Sequence, residues 1–187
     1  MFQKMSSRPV YQVLQQLSDN IEIRKYPSIK WAITSTNGNL QYMDQHRNLM
    51  FQKLFGYISG QNDQNQKIAM TAPVTYNLNN QSSNTLLNNN SNCNITMRFY
   101  VPQELYSKTP NPTGDAYIQT EPEMIVAAIR FGGFATMNDY LYNRDVLIQK
   151  LGAEASKYDV VNMITAGYDP PFRTEGRTNE VWFRKIA

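Results

Sequence analysis

The sequence resembles itself. "RNLMFQKL" at residues 47–54 and "RDVLIQKL" at 144–151 share Arg, Gln, Lys and Leu in one register, with Asn/Asp, Leu/Val, Met/Leu and Phe/Ile between them. The same offset of 97 residues sets Ile21 over Ile118, and "MTA" at 70–72 answers "ITA" at 164–166 at a slightly shorter spacing. Self-similarity at long range implies two copies of one structural unit. A chain made that way must pack two like halves against each other, which narrows the available folds more than composition does.

Each half reads strand, strand, helix, strand, strand. In the first, "IEIRKY" and "KWAITST" are rich in β-branched and aromatic residues, "YMDQHRNLMFQKLFGYISG" has helical spacing and stops near Gly60, and "KIAMTAPVTYNL" and "ITMRFYVP" supply two more strands. In the second, "AYIQTE" and "EMIVAAIRF" precede a helix that opens at Thr136 with Asp139 three residues on, a capping-box pattern, and ends near Gly152. "VNMITAGY" and "NEVWFRKI" complete it. The expected fold is α+β, a distorted eight-stranded, mainly antiparallel β-barrel built from two β-β-α-β-β pseudo-repeats with one helix packed on each side. The pseudo-repeats span about 20–102 and 117–187 of a single domain covering residues 1–187.

The formal charge of +3 is scattered rather than gathered into a Lys/Arg run, which argues against a nucleic-acid partner. No stretch of 18 apolar residues is available to span a bilayer as a helix. The single Cys93 cannot form an intrachain disulfide, and the N-terminal residues lack the apolar run of a secretory signal; together these point to a reducing, cytoplasmic setting. Between Asn77 and Asn94 half the residues are Asn, with no helical or strand period. This segment reads as a solvated insertion that lengthens a hairpin loop and tolerates deletion.

With one His and one Cys, the sequence offers no spacing for a zinc or redox site, and any nucleophile–base pair would depend on His46. No metal site and no enzymatic activity are expected. "RFGGFA" at 130–135 has neither a dinucleotide-binding nor a phosphate-loop spacing, and reads as a tight bend at a strand end.

"KIAMTAPV" in one half, "RFGGFA" and "TAGYDPPF" in the other, and "GRTNEVW" near the end together resemble the SOUL/heme-binding protein family, in order and over nearly the whole chain. The resemblance implies the same duplicated fold and the binding of heme or a related tetrapyrrole in an exposed groove, without established enzymatic activity. A porphyrin is a flat apolar plate with two propionates, so its site needs an exposed hydrophobic strip beside cationic side chains. On the first helix Met43, Met50, Leu54 and Tyr57 form one face, assigned to the core, while Phe51 and Phe55 lie on its shoulder. The second helix has Ile148 and Gly152 at those positions, so the wide apolar stripe belongs to the first helix alone. Two readings of the pair stand: a ligand surface, or cover for the barrel edge.

The resemblance places ligand contacts at Asn48, Phe51 and Phe55 on the helix and at Phe172 and Arg173 in the loop "GYDPPFRTEGRTNEVWF", with Arg173 facing a propionate. Asn48 stands where some relatives are basic. Lys25 occupies the position at which some relatives carry a His proposed to ligate iron, and His46 reads as a surface residue on the opposite shoulder from Phe55. Heme would then bind non-covalently, by hydrophobic contact and propionate pairing, with the axial ligand unassigned. The competing reading of the groove is a non-enzymatic docking site for a protein partner or an amphipathic small-molecule effector.

Overall fold

Among residues 7–82 and 85–186, which the computed structural model describes, the β-branched and aromatic runs pair into one antiparallel sheet of nine strands. Residues 1–6, which belong to the N-terminal run read for a secretory signal, Ser83 and Asn84 of the Asn-rich segment, and Ala187 lie outside the described residues. The strands are β1 (Gln12–Ser18), β2 (Ile21–Tyr26), β3 (Ile29–Asn39), β4 (Val74–Asn80), β5 (Asn92–Tyr100), β6 (Tyr117–Glu121), β7 (Met124–Phe131), β8 (Met163–Gly167) and β9 (Asn179–Arg184). Helix α1 (Met43–Ile58) joins β3 to β4, and α2 (Met137–Leu151) joins β7 to β8. The start of α2 is fixed as its sequence predicts: Thr136 accepts from the Asp139 amide, while the Asp139 carboxylate accepts from the Thr136 amide at 2.7 Å.

The strand order is β1-β2-β7-β9-β8-β4-β5-β3-β6. Exchanging β2, β3, β4 and β5 for β6, β7, β8 and β9 makes the order from β2 to β6 read the same from either end. Helix α1 packs on β3 and β5, and α2 on β7 and β9, the equivalent strands under that exchange.

Two parts of the expected architecture are corrected. The sheet has nine strands rather than eight, because "QVLQQLS" pairs with β2 through two register shifts. Its side chains are almost all exposed, so neither face carried the apolar alternation that marks a strand. The sheet is also open. Its hydrogen-bonded ladder ends at β1 and at β6, and no pairing joins the two ends into a barrel. Strong curl stands in for closure: Arg184 of β9 reaches Glu121 of edge strand β6 at 2.6 Å, although the two strands are five places apart in the sheet.

Curl and helices create two cores. One sheet face, with Ile21, Ile129, Met97, Phe99, Val181 and Phe183, is covered by α1 and α2. The other wraps around Tyr26, Trp31, Ile33, Val126 and Trp182. That wrapped face also holds two buried ion pairs, Arg24–Glu180 and Arg98–Glu121, each with a 2.8 Å contact. Desolvating such pairs offsets most of their attraction, but removing one partner leaves a buried charge poorly compensated.

The Asn-rich segment is not solvated throughout. Strands β4 and β5 run into it, pairing Asn79 with Asn94 and Asn80 with Cys93. Beyond them Leu87 is only 2% exposed and belongs to the helix-side core, and its carbonyl accepts from the Arg144 guanidinium of α2.

Candidate functional site

Helix α1 buries Met43, Met50, Leu54 and Tyr57, the face its spacing assigned to the core, together with Ile58. The neighbouring stripe of Asn48, Phe51 and Phe55 remains at the surface, with Phe55 50% exposed and Phe51 36%. The two rings stack with centroids 5.7 Å apart and planes 16° from parallel. Phe51 also meets Phe99 of β5 edge-on, at 5.5 Å and 61°. One flank of the pair is therefore anchored in the core while the other presents a flat apolar surface.

The β8–β9 loop, residues 168–178, is held by its own polar groups. Asp169 accepts from the Thr178 amide at 2.6 Å and from the Arg173 guanidinium at 2.8 Å, and Arg173 also donates to the Glu175 carbonyl. Arg177 donates to the carbonyls of Pro170 and Arg173, with its guanidinium 4.3 Å from the centre of the Phe134 ring. Gly176 sits at φ 60°, where only a residue without Cβ turns freely, and a Cβ there would stand 3.1 Å from Arg173 Nη2. The bonds leave Phe172 projecting, 73% exposed, from a pre-ordered loop.

Sheet register brings loop and helix to one end of the molecule. Phe99, which Phe51 touches, pairs with Val74, and Val74 pairs with Gly167, where the loop begins. Two strand spacings, about 10 Å, separate them. Among the described residues Phe172 makes no ring contact with Phe51 or Phe55, and Arg173, the expected propionate partner, is already engaged by Asp169.

Between them lies a group that the sequence reading missed. Arg47 of α1 stands 5.8 Å from the Tyr76 ring centre and 3.4 Å from Asp44. Tyr140 of α2 donates to Asn179 at 3.4 Å. The Nε atoms of Arg47 and Arg177 are both buried without a hydrogen-bond partner among the described residues. Leaving a buried donor unpaired costs about 1–3 kcal/mol, or more for a charged group. Burial pushes the Tyr140 hydroxyl up to about 12 against the opposing charges of Arg47 and Arg177. The Tyr76 hydroxyl is likewise raised by burial against the pull of Arg47, so both phenols stay protonated at neutral pH.

A signal for Arg47 was present in the repeat, whose "RNLMFQKL" and "RDVLIQKL" align Arg47 with Arg144. Arg144 is buried and closed off by the Leu87 carbonyl and Asp145, whereas the Nε of Arg47 has no partner. Arg177 lay inside "GRTNEVW", but Tyr76 and Tyr140 carried no local mark, since their convergence depends on how α1 and α2 pack on the sheet.

Two further expectations meet the structure here. His46 is on the opposite shoulder from Phe55, but it is not a surface residue. Its half-buried ring packs against Gly38, where a Cβ would lie 2.2 Å from Nε2, and it borders a separate cavity of about 410 Å³. Lys25 is paired with Glu123 at 2.8 Å. Among the described residues no helix is long and apolar enough to cross a membrane, and no cluster of His, Cys, Asp and Glu is arranged to hold a metal ion.

The SOUL heme-binding protein model matches residues 6–184 of the chain. Heme-binding protein 2 of Mus musculus is 35% identical over 162 residues, covering 86% of this chain and 76% of that protein. Heme-binding protein 1 of Xenopus tropicalis is 30% identical over 165 residues, 88% of this chain and 83% of that one. Among solved structures, an uncharacterised conserved protein from Listeria innocua superposes with a TM-score of 0.60 at 10% identity, over 88% of this chain and 91% of the other, a likeness of fold alone.

Proposed function

The chain belongs to the SOUL heme-binding protein family, and from that premise we propose that it binds heme non-covalently as a carrier or buffer, without catalysing a reaction. The plate lies on the Phe51–Phe55 stack beneath the Phe172 loop, and its propionates turn inward toward Arg47 and Arg177. The observation that carries this reading is an exposed, parallel aromatic pair next to a buried guanidinium donor that lacks an acceptor. A propionate supplies that acceptor, and a charge-assisted bond in a partly buried setting is stronger than a neutral one. Phe172 offers a second apolar contact from a loop already ordered, which lowers the entropic cost of closing over a ligand. Arg173 then acts by holding the loop through Asp169 rather than by pairing with a propionate, and Asn48 borders the plate at the outer end of the stripe.

Fit to heme iron is weaker than fit to the porphyrin. His46 faces away from the stack, and Lys25 is on β2 with its own carboxylate partner. The axial ligand is left unassigned, and Phe51, Phe55, Phe172, Arg47 and Arg177 would hold the porphyrin by apolar contact and propionate pairing.

Titration with hemin, followed at the Soret band, tests the site. Phe55→Ala should weaken binding by about tenfold, the loss expected for roughly 1–2 kcal/mol of apolar contact. Arg47→Gln should weaken hemin but leave protoporphyrin dimethyl ester, which lacks the carboxylates, unchanged. Unaltered hemin binding by both variants would overturn the site.

A further inference from the structure

A second cavity, of about 220 Å³, opens on the wrapped face of the sheet, away from the helices, between residues 8–11 and the ends of β2, β7 and β9. Its walls are tyrosine rings. Tyr11 lies against Tyr26 with centroids 5.1 Å apart, and Tyr168 forms another side with the guanidinium of Arg8 5.1 Å from its ring centre. The floor is Glu180, 1% exposed. Its two oxygens accept from Arg24 at 2.8 and 2.9 Å, from Tyr168 at 2.8 Å, from Trp182 at 2.7 Å and from Arg130 at 3.2 Å. No acceptor capacity is left there for an incoming cation.

The charge balance is opposite to what a buried carboxylate at a pocket floor suggests. Arg24, Arg130 and Arg8 face Glu180 and Glu22, three cations against two anions. Arg130 meets Glu180 through Nε alone and keeps 46% of its side chain exposed. Arg8 makes no ion pair among the described residues and stands at the rim. The rim is thus cationic, the walls are aromatic and the floor is neutralised. The volume is below the roughly 300–1,000 Å³ of sites that enclose drug-sized molecules, and too small for a porphyrin.

We propose that this cavity is a second binding site, independent of the heme site, for a small planar aromatic anion, a single-ring carboxylate whose ring packs between Tyr11 and Tyr168, with Tyr26 buried behind Tyr11, and whose carboxylate bridges Arg8 and Arg130. Planar guanidinium groups match a carboxylate in both geometry and charge, and the tyrosine rings, with Arg24 over Tyr11 at 4.4 Å and Arg8 over Tyr168 at 5.1 Å, give an incoming ring aromatic contact beside those cations.

The full-length chain is titrated with benzoate, benzamide and benzylamine, monitored by saturation-transfer NMR and tyrosine fluorescence. Benzoate is expected to bind at least about tenfold more tightly than either analogue, the factor that one charge-assisted hydrogen bond supplies. Arg8→Gln and Arg130→Gln should each remove about that factor. Arg8→Gln breaks no ion pair, so its melting temperature and its hemin titration should match wild type. Equal binding of benzoate and benzamide, undiminished benzoate binding by the Arg8 variant, or no benzoate binding at millimolar concentration would each overturn the proposal.

Discussion

Leu87→Ala decides whether the Asn-rich segment is a solvated spacer or a structural plug. Leu87 is 2% exposed and packed within the helix-side core, while its neighbour Leu86 is 42% exposed. Truncating a fully buried leucine costs about 2–5 kcal/mol, the lower half applying where the surroundings can collapse, as a loop can. For a chain of this length each kcal/mol moves the melting temperature by about 2–4 °C, so a drop of roughly 5–15 °C is expected. Leu86→Ala is the matched control and should fall within about 0.5 kcal/mol of wild type. Both are read by circular-dichroism melts at neutral pH. If Leu87→Ala melts within a degree of wild type, or if the two variants are alike, the plug reading is wrong and the segment is the expendable loop that its composition suggests.

Gly38→Ala places a methyl 2.2 Å from His46 Nε2 and should cost about 1–3 kcal/mol in a thermal melt; combining it with His46→Ala should restore most of that loss. His46→Ala alone should leave the hemin Soret band and affinity unchanged, and a lost Soret shift would move the iron to the other shoulder of α1. Burial pushes the Glu180 carboxyl up, but its bonds and charge attraction to Arg24 outweigh this and hold it below the usual carboxylate range. Its contribution is therefore complete above the unfolded value near 4.3 and fades as pH falls through the lower folded value. Glu180→Gln should cost about 3 kcal/mol at neutral pH, the low end for breaking a buried pair because Arg24 keeps Glu22 as a partner, and the gap in melting temperature from wild type should narrow on acidification below about pH 5; a gap that stays constant to pH 3 would refute the assignment.

Periodicity within one element was readable from sequence; contacts between elements were not. The α1 core face, the Thr136 capping box and the surface position of Phe51 and Phe55 follow from local spacing and local hydrogen bonding. Strand β1 escaped because its stability comes from the ladder to β2, not from a buried face. Leu87 escaped because a polar composition hides one anchoring residue, and burial of that residue is decided by α2. At the site, Phe172 was conspicuous behind Pro170 and Pro171. Nothing local distinguishes Arg173, which bonds Asp169, from Arg177, whose buried Nε lacks a partner.

The topological exchange relates Arg47 to Arg144 and the two buried ion pairs to each other. Arg24 on β2 exchanges with Glu121 on β6, 97 residues on, and Arg98 on β5 with Glu180 on β9, so the two buried ion pairs occupy equivalent places with their charges reversed. Reversal preserves the packing and the register while changing what surrounds each pair: Glu180 also gathers Arg130, Tyr168 and Trp182, whereas Glu121 gathers Arg184. The helix side diverges in the same manner. The loop between β4 and β5 sends Leu87 into the core and closes Arg144, while its counterpart between β8 and β9 bonds to itself and leaves Arg47 unclosed beside the exposed phenylalanines. On the α2 side the chain's own Leu87 covers the helix and sheet, and on the α1 side the aromatic pair stays exposed. Exchanging the two roles, by Leu87→Gly to empty the first and Phe172→Ala to strip the second, should lower stability in the first variant and hemin affinity in the second, with little crossover between them. A Phe172→Ala protein that lost stability and kept its affinity for hemin would show that the β8–β9 loop, like the Asn-rich loop, serves only to close the fold.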